Sequence, residues 1–451
     1  MNWPDVRNIE NITEHQREEL AKAISRAGSL AILGGSPGCG KTWTTAQLVK
    51  SAGEQIGYRR IGVAAPTGKA AVRLTEAMAE YDVPLRAVTW HSMLGVEAND
   101  SEGWSFRYNA GNPLPYSLLV GDEMSMLDVD LAQSVFSARG RGTKFLVIGD
   151  VHQLPPVGHG APLRDMIASG IVPYGELREI MRNDGGIVQA CADIRDGKRF
   201  RCEGNLRSVP ARGAVAIKDS LLETISDSSR AFGVDAVWDV QVLVAVNSKG
   251  DLCRKDINLL LQNALNANPE IPGSPFRLGD KVVNTKNGWF KPSEHHRGGC
   301  MDENDNGEIY VANGELGKVI VAQPKVMHVS LSSPDRTVLV PRGAAPPTDE
   351  SNTDEDDASP GTGCNWDLGY ALSCHKSQGS EWPIAIVVID DGGSARRVCS
   401  REWIYTAMSR AKQCCYLVGP LEVAQGFASR TAINLRKTFL AELIKDMVAP
   451  L

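Results

Sequence analysis

The stretch Gly35-Ser36-Pro37-Gly38-Cys39-Gly40-Lys41-Thr42 decides the reading of this chain. It follows the apolar run Leu30-Ala31-Ile32-Leu33 and precedes a segment of helical spacing, so it joins a short buried strand to a helix. G-x-x-x-x-G-K-[ST] in that setting is a phosphate-binding loop. Glycines let the backbone wrap around an anion, and successive N–H groups and the helix N-terminus face it. Gly35, Ser36, Pro37, Gly38, Cys39 and Gly40 are therefore the expected cradle. Lys41 is expected to reach the β- and γ-phosphates of a nucleotide, and the Thr42 hydroxyl to ligate Mg²⁺.

Downstream come Ile61-Gly62-Val63-Ala64, Ser117-Leu118-Leu119-Val120 and Lys144-Phe145-Leu146-Val147-Ile148. Each is a continuous apolar run ending in polar or turn residues, as expected of parallel strands covered on both faces. Asp122-Glu123 follows one of them. Two carboxylates at a strand end suit a metal-holding acid, Asp122, beside an acid that polarises water, Glu123. After the next strand, Gln153 in Gly149-Asp150-Val151-His152-Gln153 either senses the γ-phosphate or belongs to a polar turn. Transfer of a phosphoryl group also calls for cationic stabilisation, typically by arginine, and Arg182 and Arg410 are the candidates.

A second alternating pattern starts near Ile171 and includes Val240–Ala245, Tyr370–Leu372, Ile384–Ile389 and Cys415–Val418. The fold class expected is α/β, with two RecA-like parallel-sheet domains. The first covers 1–172 and carries a turn-rich hairpin at 96–113. The second covers 173–273 and 364–451. Residues 274–363, rich in Gly and turn residues with short β-type stretches, read as an inserted β-rich domain, and 343–363 as a flexible acidic loop.

With 451 residues, 42% hydrophobic and 23% charged, the chain is neither disordered, collagenous nor a coiled coil. Its apolar runs fall far short of the ~20 residues that span a bilayer. Met1-Asn2-Trp3-Pro4-Asp5 has no secretory pattern, so a cytoplasmic location, bacterial or phage-infected, is the expectation. The net charge is −6, and Asp349, Glu350, Asp354, Glu355, Asp356 and Asp357 account for all of it. A polyanionic partner would therefore need a local basic groove. The 10 cysteines are scattered from Cys39 to Cys415 with no C-x-x-C pair, which favours reduced thiols. His295, His296 and Cys300 form a metal-like fragment that no second cluster in the sequence completes.

The motifs fall in a fixed order: Gln16, GSPGCGKT (35–42), APTGKAA (65–71), TWHSMLG (89–95), VGDEMSML (120–127), IGDVHQLPPVG (148–158), LREIMRN (177–183), ALSCHKSQGSEW (371–382) and YTAMSRAK (405–412). The series resembles the superfamily 1B helicases of the RecD-like and phage Dda-like group over nearly the whole chain.

That resemblance implies an ATP- and Mg²⁺-dependent enzyme that translocates 5′→3′ on single-stranded DNA and unwinds duplex at junctions. A single-strand translocase or nucleoprotein remodeller without unwinding, or the motor subunit of a nuclease complex, are the alternatives. It also assigns Gln16 to adenine, Glu381 to the ribose, Gly379 to the nucleotide, and Arg182 and Arg410 to the γ-phosphate. Pro66, Thr67, Lys69, Thr89 and His91 match DNA contacts of the first domain; Ser373, His375, Lys376 and Ser377 match those of the second. Trp90 either stacks on the strand or is a core aromatic. The insertion at 274–363 falls where the family carries an SH3-like domain, and 96–113 where it carries a strand-separating hairpin. A monomer is expected, with single-strand-binding or replication and recombination proteins as partners of the acidic loop. Met181-Arg182-Asn183 departs from the commoner Phe-Arg-Gln, and Ser409 and Ser373 replace Thr while keeping a hydroxyl.

Overall fold

A computed structural model of the chain describes residues 2–24, 28–99, 103–179, 185–296, 306–332, 335–343 and 364–448. They form two units, Met1–Asp184 with Thr431–Leu451, and Gly185–Arg430.

The first unit contains β1 (Leu30–Gly35), β2 (Ile61–Ala65), β3 (Val88–Thr89), β4 (Val96–Asn99), β5 (Gly103–Phe106), β6 (Leu118–Gly121), β7 (Lys144–Gly149) and β8 (Tyr174–Leu177). Six of these strands make one parallel sheet in the order β3-β2-β6-β7-β1-β8. Side chains alternate across it. Ala31, Leu33, Leu118, Val120, Leu146 and Ile148 enter one apolar core. Ile32, Leu119, Phe145 and Val147 enter the other. Burial on both faces is why these strands read as unbroken apolar runs rather than alternating ones. The hairpin is β4 against β5, antiparallel from Val96↔Phe106 to Asn99↔Gly103.

The second unit contains β9 (Leu206–Val209), β10 (Val240–Val244), β11 (Lys281–Asn284), β12 (Gly288–Phe290), β13 (Ile309–Val311), β14 (Leu316–Ala322), β15 (Val326–Ser332), β16 (Asp335–Pro341), β17 (Trp366–Leu368), β18 (Ala371–Ser373), β19 (Trp382–Val388) and β20 (Ala411–Val418). A parallel sheet runs β18-β10-β19-β20-β9. An antiparallel sheet runs β16-β15-β14-β11-β17, beside the β12–β13 ribbon. Both sheets share one apolar core, from Val240 and Ile384 to Val282 and Trp366. Asp280 is fully buried at their junction and accepts from Gln262 (2.6 Å), Asn266 (2.7 Å), Tyr370 (2.9 Å) and the Arg277 amide (2.7 Å). A buried carboxylate is tolerated only with partners of this kind.

Three expected boundaries are corrected. Residues 173–177 belong to the first unit: β8 pairs with β1 from Ile32↔Tyr174 to Gly35↔Leu177. As an edge strand whose residues alternate between partly and fully buried, it lacks the continuous apolar run that marks the others. Residues 431–451 also join the first unit. Arg436 donates to the carbonyls of Pro156, Gly158 and Gly160, Thr438 to Asp165, and the helix Leu440–Val448 packs on Pro162–Ser169. Side-chain bonds to a carbonyl 276 positions away and to a carboxylate 273 positions away leave no periodicity in the sequence. The antiparallel sheet also extends past 363, to Leu368 in β17. The acidic segment 344–363 lies outside the described residues. Among the described residues, no helix is long and apolar enough to cross a membrane.

Candidate active site

β1 ends in the glycine-rich loop, and the helix Lys41–Ile56 begins at once. Gly38 and Gly40 have φ of 80° and 81°, a left-handed backbone costing about 1–2 kcal/mol per residue with a Cβ. Gly40 is the N-cap and makes no side-chain cap bond, so no cap side chain covers the first-turn N–H groups. Uncovered N–H groups at a helix start are what an anion site needs. The Lys41 ammonium donates to the carbonyls of Gly35 (2.6 Å) and Ser36 (3.1 Å). Thr44 and Thr45 turn their hydroxyls back onto Gly40 and Lys41 carbonyls, while Thr42 stands in the first turn.

The acids converge on this loop because β7 pairs with both β1 and β6, all running the same way. Their carboxyl ends therefore share one edge, the usual ligand edge of such sheets. Asp122 accepts from the Glu123 amide at 2.8 Å. Burial, then repulsion from Glu123, push its carboxyl up to about 6, against the pull of Lys41 and Arg73. For Lys41, burial opposes the charge, but Cys39, Asp150, Glu123 and Asp122 together hold its pKa above the ordinary lysine value. Glu123 adopts φ 51°, ψ 35°, a left-handed conformation rare without glycine. Strain of this sort is retained where the surroundings over-determine it, commonly at functional sites.

Asp150 is a member of the cluster that sequence reading passed over. It is buried, acts on Lys41, and accepts from the His152 amide (3.0 Å) and from Gln153 Nε2 (3.5 Å). Its position directly after β7, parallel to Asp122 after β6, was the available signal. Gln153 is buried beside it. A carboxylate and a hydroxyl are the hard oxygen donors Mg²⁺ takes, so Asp122 and Thr42 fit the metal that the sequence resemblance implies. Gln16 is buried and bonded at both ends of its amide: Oε1 accepts from the Thr13 amide (3.0 Å) and Nε2 donates to Cys39 O (3.4 Å). With Thr13 Oγ1 accepting from the Gln16 amide (3.1 Å), it closes a capping box and ties that helix to the glycine loop.

On the same edge, Ala65 and Thr89 are register partners on β2 and β3. Thr67 caps the helix Gly68–Glu80 through the Ala70 amide, and Thr89 caps Trp90–Leu94 through the Ser92 amide. Pro66, Thr67, Lys69, Thr89 and His91 are thus gathered around two neighbouring helix starts. Of the two readings of Trp90, stacking is set aside: it is fully buried, donates to Met124 Sδ (3.2 Å) and packs against Phe145, so it is a core residue. His91 is exposed and lies 5.9 Å from the Phe106 ring. Partial desolvation outweighs the attraction of Asp128 and holds its imidazole below the usual range.

In the second unit, β18 ends at Ser373, opposite Val244 of β10, and the turn 374–381 follows. His375, Lys376 and Glu381 are partly exposed; Ser373, Ser377 and Gly379 are buried. Ser377 donates to Cys374 O (2.7 Å), which directs its hydroxyl inward rather than to a ligand. Arg410 is buried and donates to Thr406 O (3.0 Å), Ser380 O (3.2 Å) and Ser409 Oγ (2.9 Å). Arg182 lies outside the described residues.

Residues 16–159 match the model of an AAA domain, and residues 368–418 that of the UvrD-like helicase C-terminal domain. The ATP-dependent RecD2 DNA helicase of Deinococcus radiodurans is 30% identical over 439 residues, covering 95% of this chain and 52% of that protein. The chain therefore spans about half the length of that relative. The RecBCD enzyme subunit RecD of Mycobacterium tuberculosis is 29% identical over 459 residues, 96% of this chain and 73% of that one. Among solved structures, a Pif1 helicase from Bacteroides in complex with ADP-AlF3 and ssDNA superimposes with TM-score 0.52 at 19% identity, over 91% of this chain and 92% of that chain. A structure of two coordinating Pif1 helicases at forked dsDNA gives 0.53 at 17%, over 97% of each. At such identities the common property is the fold, a pair of RecA-like parallel sheets.

Proposed function

Because this chain belongs to the RecD-like group of the superfamily 1B helicases, we propose that it hydrolyses ATP to move 5′→3′ along single-stranded DNA and to open duplex at junctions. The observation that carries this reading is the convergence of Lys41 with Asp122, Glu123 and Asp150 at one sheet edge, beside a helix start with no side-chain cap. The loop amides and Lys41 bind the phosphates, and Lys41 exchanges its bonds to Gly35 and Ser36 for phosphate oxygens. Thr42 and Asp122 would hold Mg²⁺, which neutralises phosphate charge when bound. Glu123 orients the attacking water and draws its proton, with Gln153 alongside.

Arg410 of the second unit, and Arg182 outside the described residues, are proposed to meet the γ-phosphate. Presence or loss of that phosphate then alternates the grip of the two units on the strand. Pro66, Thr67, Lys69, Thr89 and His91 hold the strand on one unit; Ser373, His375 and Lys376 hold it on the other, and Ser377 shapes that turn through its bond to Cys374 O. Lysines provide the phosphate contacts that the net charge cannot. The likeness to RecD supports a second reading, a motor subunit working beside a nuclease. The test is ATP-dependent unwinding of 5′-tailed, 3′-tailed and blunt duplexes, DNA and RNA. Opening of the 5′-tailed DNA fork alone is expected; ATPase activity with no opening of any fork would replace unwinding by translocation.

A further inference from the structure

The antiparallel sheet of the second unit brings together three ligating groups from two distant segments. Residues 291–296 are laid along β16: Leu339 donates to Lys291 O (2.9 Å), Pro292 bridges Val338, and the Ser293 amide donates to Thr337 O (2.9 Å). The segment then turns, with the His296 amide donating to Ser293 O (2.8 Å). His328 sits in β15 opposite Leu339, one strand further in. The result places one ligand atom each of Glu294, His295 and His328 within 4.8 Å of one another.

We propose that Glu294, His295 and His328 form a binding site for a divalent cation of the zinc class. Two imidazoles and one carboxylate are a recurrent three-ligand set for Zn²⁺, with a fourth position left to water. A tetrahedral ion with ligands about 2.0–2.2 Å away needs ligand atoms a little over ~3 Å apart. Glu294 and His295 are exposed and can close that gap by rotation, while the buried His328 is the fixed point.

The support around the site separates it from a surface Glu–His pair. Glu294 and His295 are 3.7 Å apart, which a weak ion pair alone would explain. That pair does not explain a buried histidine at the same spot, 5.6 Å ring to ring from His295. Nor does it explain Ser293, whose Oγ lies 2.8 Å from His328 Nδ1 and accepts from the His295 amide at 3.1 Å. One hydroxyl thus orients both histidine-bearing segments, leaving His328 Nε2 for an ion. Partners of this outer kind fix ring orientation in metal sites, and their loss typically costs 10–100-fold in affinity. His296 is engaged otherwise, accepting from the Thr337 amide at 3.3 Å. An ion here would clip 293–296 to β15, a stabilising role separate from the nucleotide site.

The experiment is Zn²⁺ titration of the intact chain by calorimetry in excess Mg²⁺, with Co²⁺ as a visible probe. One ion per chain is expected, with tetrahedral Co²⁺ bands and without the intense near-ultraviolet absorption that thiolate ligands give. His295→Ala and Glu294→Gln, both on exposed side chains, should weaken binding sharply at unchanged ATP turnover. Ser293→Ala should weaken it about 10–100-fold. Wild-type protein that takes up no Zn²⁺, His295→Ala that binds as the wild type does, or thiolate bands with Co²⁺ would each overturn the assignment.

Discussion

The Glu123 amide donates to the Asp122 carboxylate at 2.8 Å, and that bond accompanies a left-handed backbone at Glu123, φ 51° and ψ 35°. The conformation keeps two adjacent acids apart in role: one carboxylate tied to its neighbour's amide, the other free to aim elsewhere. Glu123→Gln should retain nucleotide binding while hydrolysis falls by orders of magnitude, measured by fluorescent-nucleotide titration and steady-state ATPase. Loss of affinity without loss of rate would make Glu123 a metal-holding residue.

The same strain gives a stability test. A left-handed residue with a Cβ costs about 1–2 kcal/mol, so Glu123→Gly should raise the denaturation midpoint while abolishing turnover. A lower midpoint would mean that the Glu123 side chain contributes more to the fold than its backbone strain removes.

Trp90 separates core from contact. Truncating a buried tryptophan costs about 3–5 kcal/mol, so Trp90→Ala should be strongly destabilised. Trp90→Phe should fold and bind single strands as the wild type does. A Phe variant of normal stability with several-fold weaker strand binding would restore the stacking role.

His91 and Lys376 should differ in salt dependence. The imidazole is held below its ordinary pKa, so it is neutral at pH 7, and His91→Gln should leave the salt slope of strand binding unchanged there. Lys376→Ala should reduce that slope by about 0.7. For folding the sign is fixed: the unfolded chain protonates His91 first, so its stabilising share is present above pH ~6.5 and is lost as pH falls below it. A changed slope in His91→Gln at pH 7.5 would show a charged contact.

The hairpin should be needed for separation and not for motion. Its base is anchored, since the Arg107 and Tyr108 amides donate to Gly95 O (2.8 Å) and Leu94 O (2.9 Å), and Phe106 and Tyr108 pack on the core. Replacing only 98–104 with a Gly-Ser turn should preserve DNA-stimulated ATPase and impair unwinding severely. Equal loss of both would make the tip part of the core architecture.

What could be read from the sequence follows from burial. β1, β2, β6 and β7 were legible because both faces are covered. β3, two residues long, and the edge strands β8 and β9 were not, because half or more of each is not fully buried or the run is too short. The glycine loop was legible because phosphate binding constrains backbone as well as side chains. Asp150 lay in plain view inside a quoted motif, yet its action on Lys41 depends on strand order, which no local pattern reports. His328 is the plainest case: only the pairing of β15 with β16 brings it to the 293–296 segment.

The central claim is that the Gly35–Thr42 loop binds the nucleotide whose hydrolysis drives motion along DNA. Its most direct test is the DNA-stimulated ATPase of Lys41→Ala, with folding confirmed by circular dichroism. A folded variant with turnover at background, and no opening of a 5′-tailed fork, is the predicted result. Turnover near the wild-type rate in that variant would contradict the account.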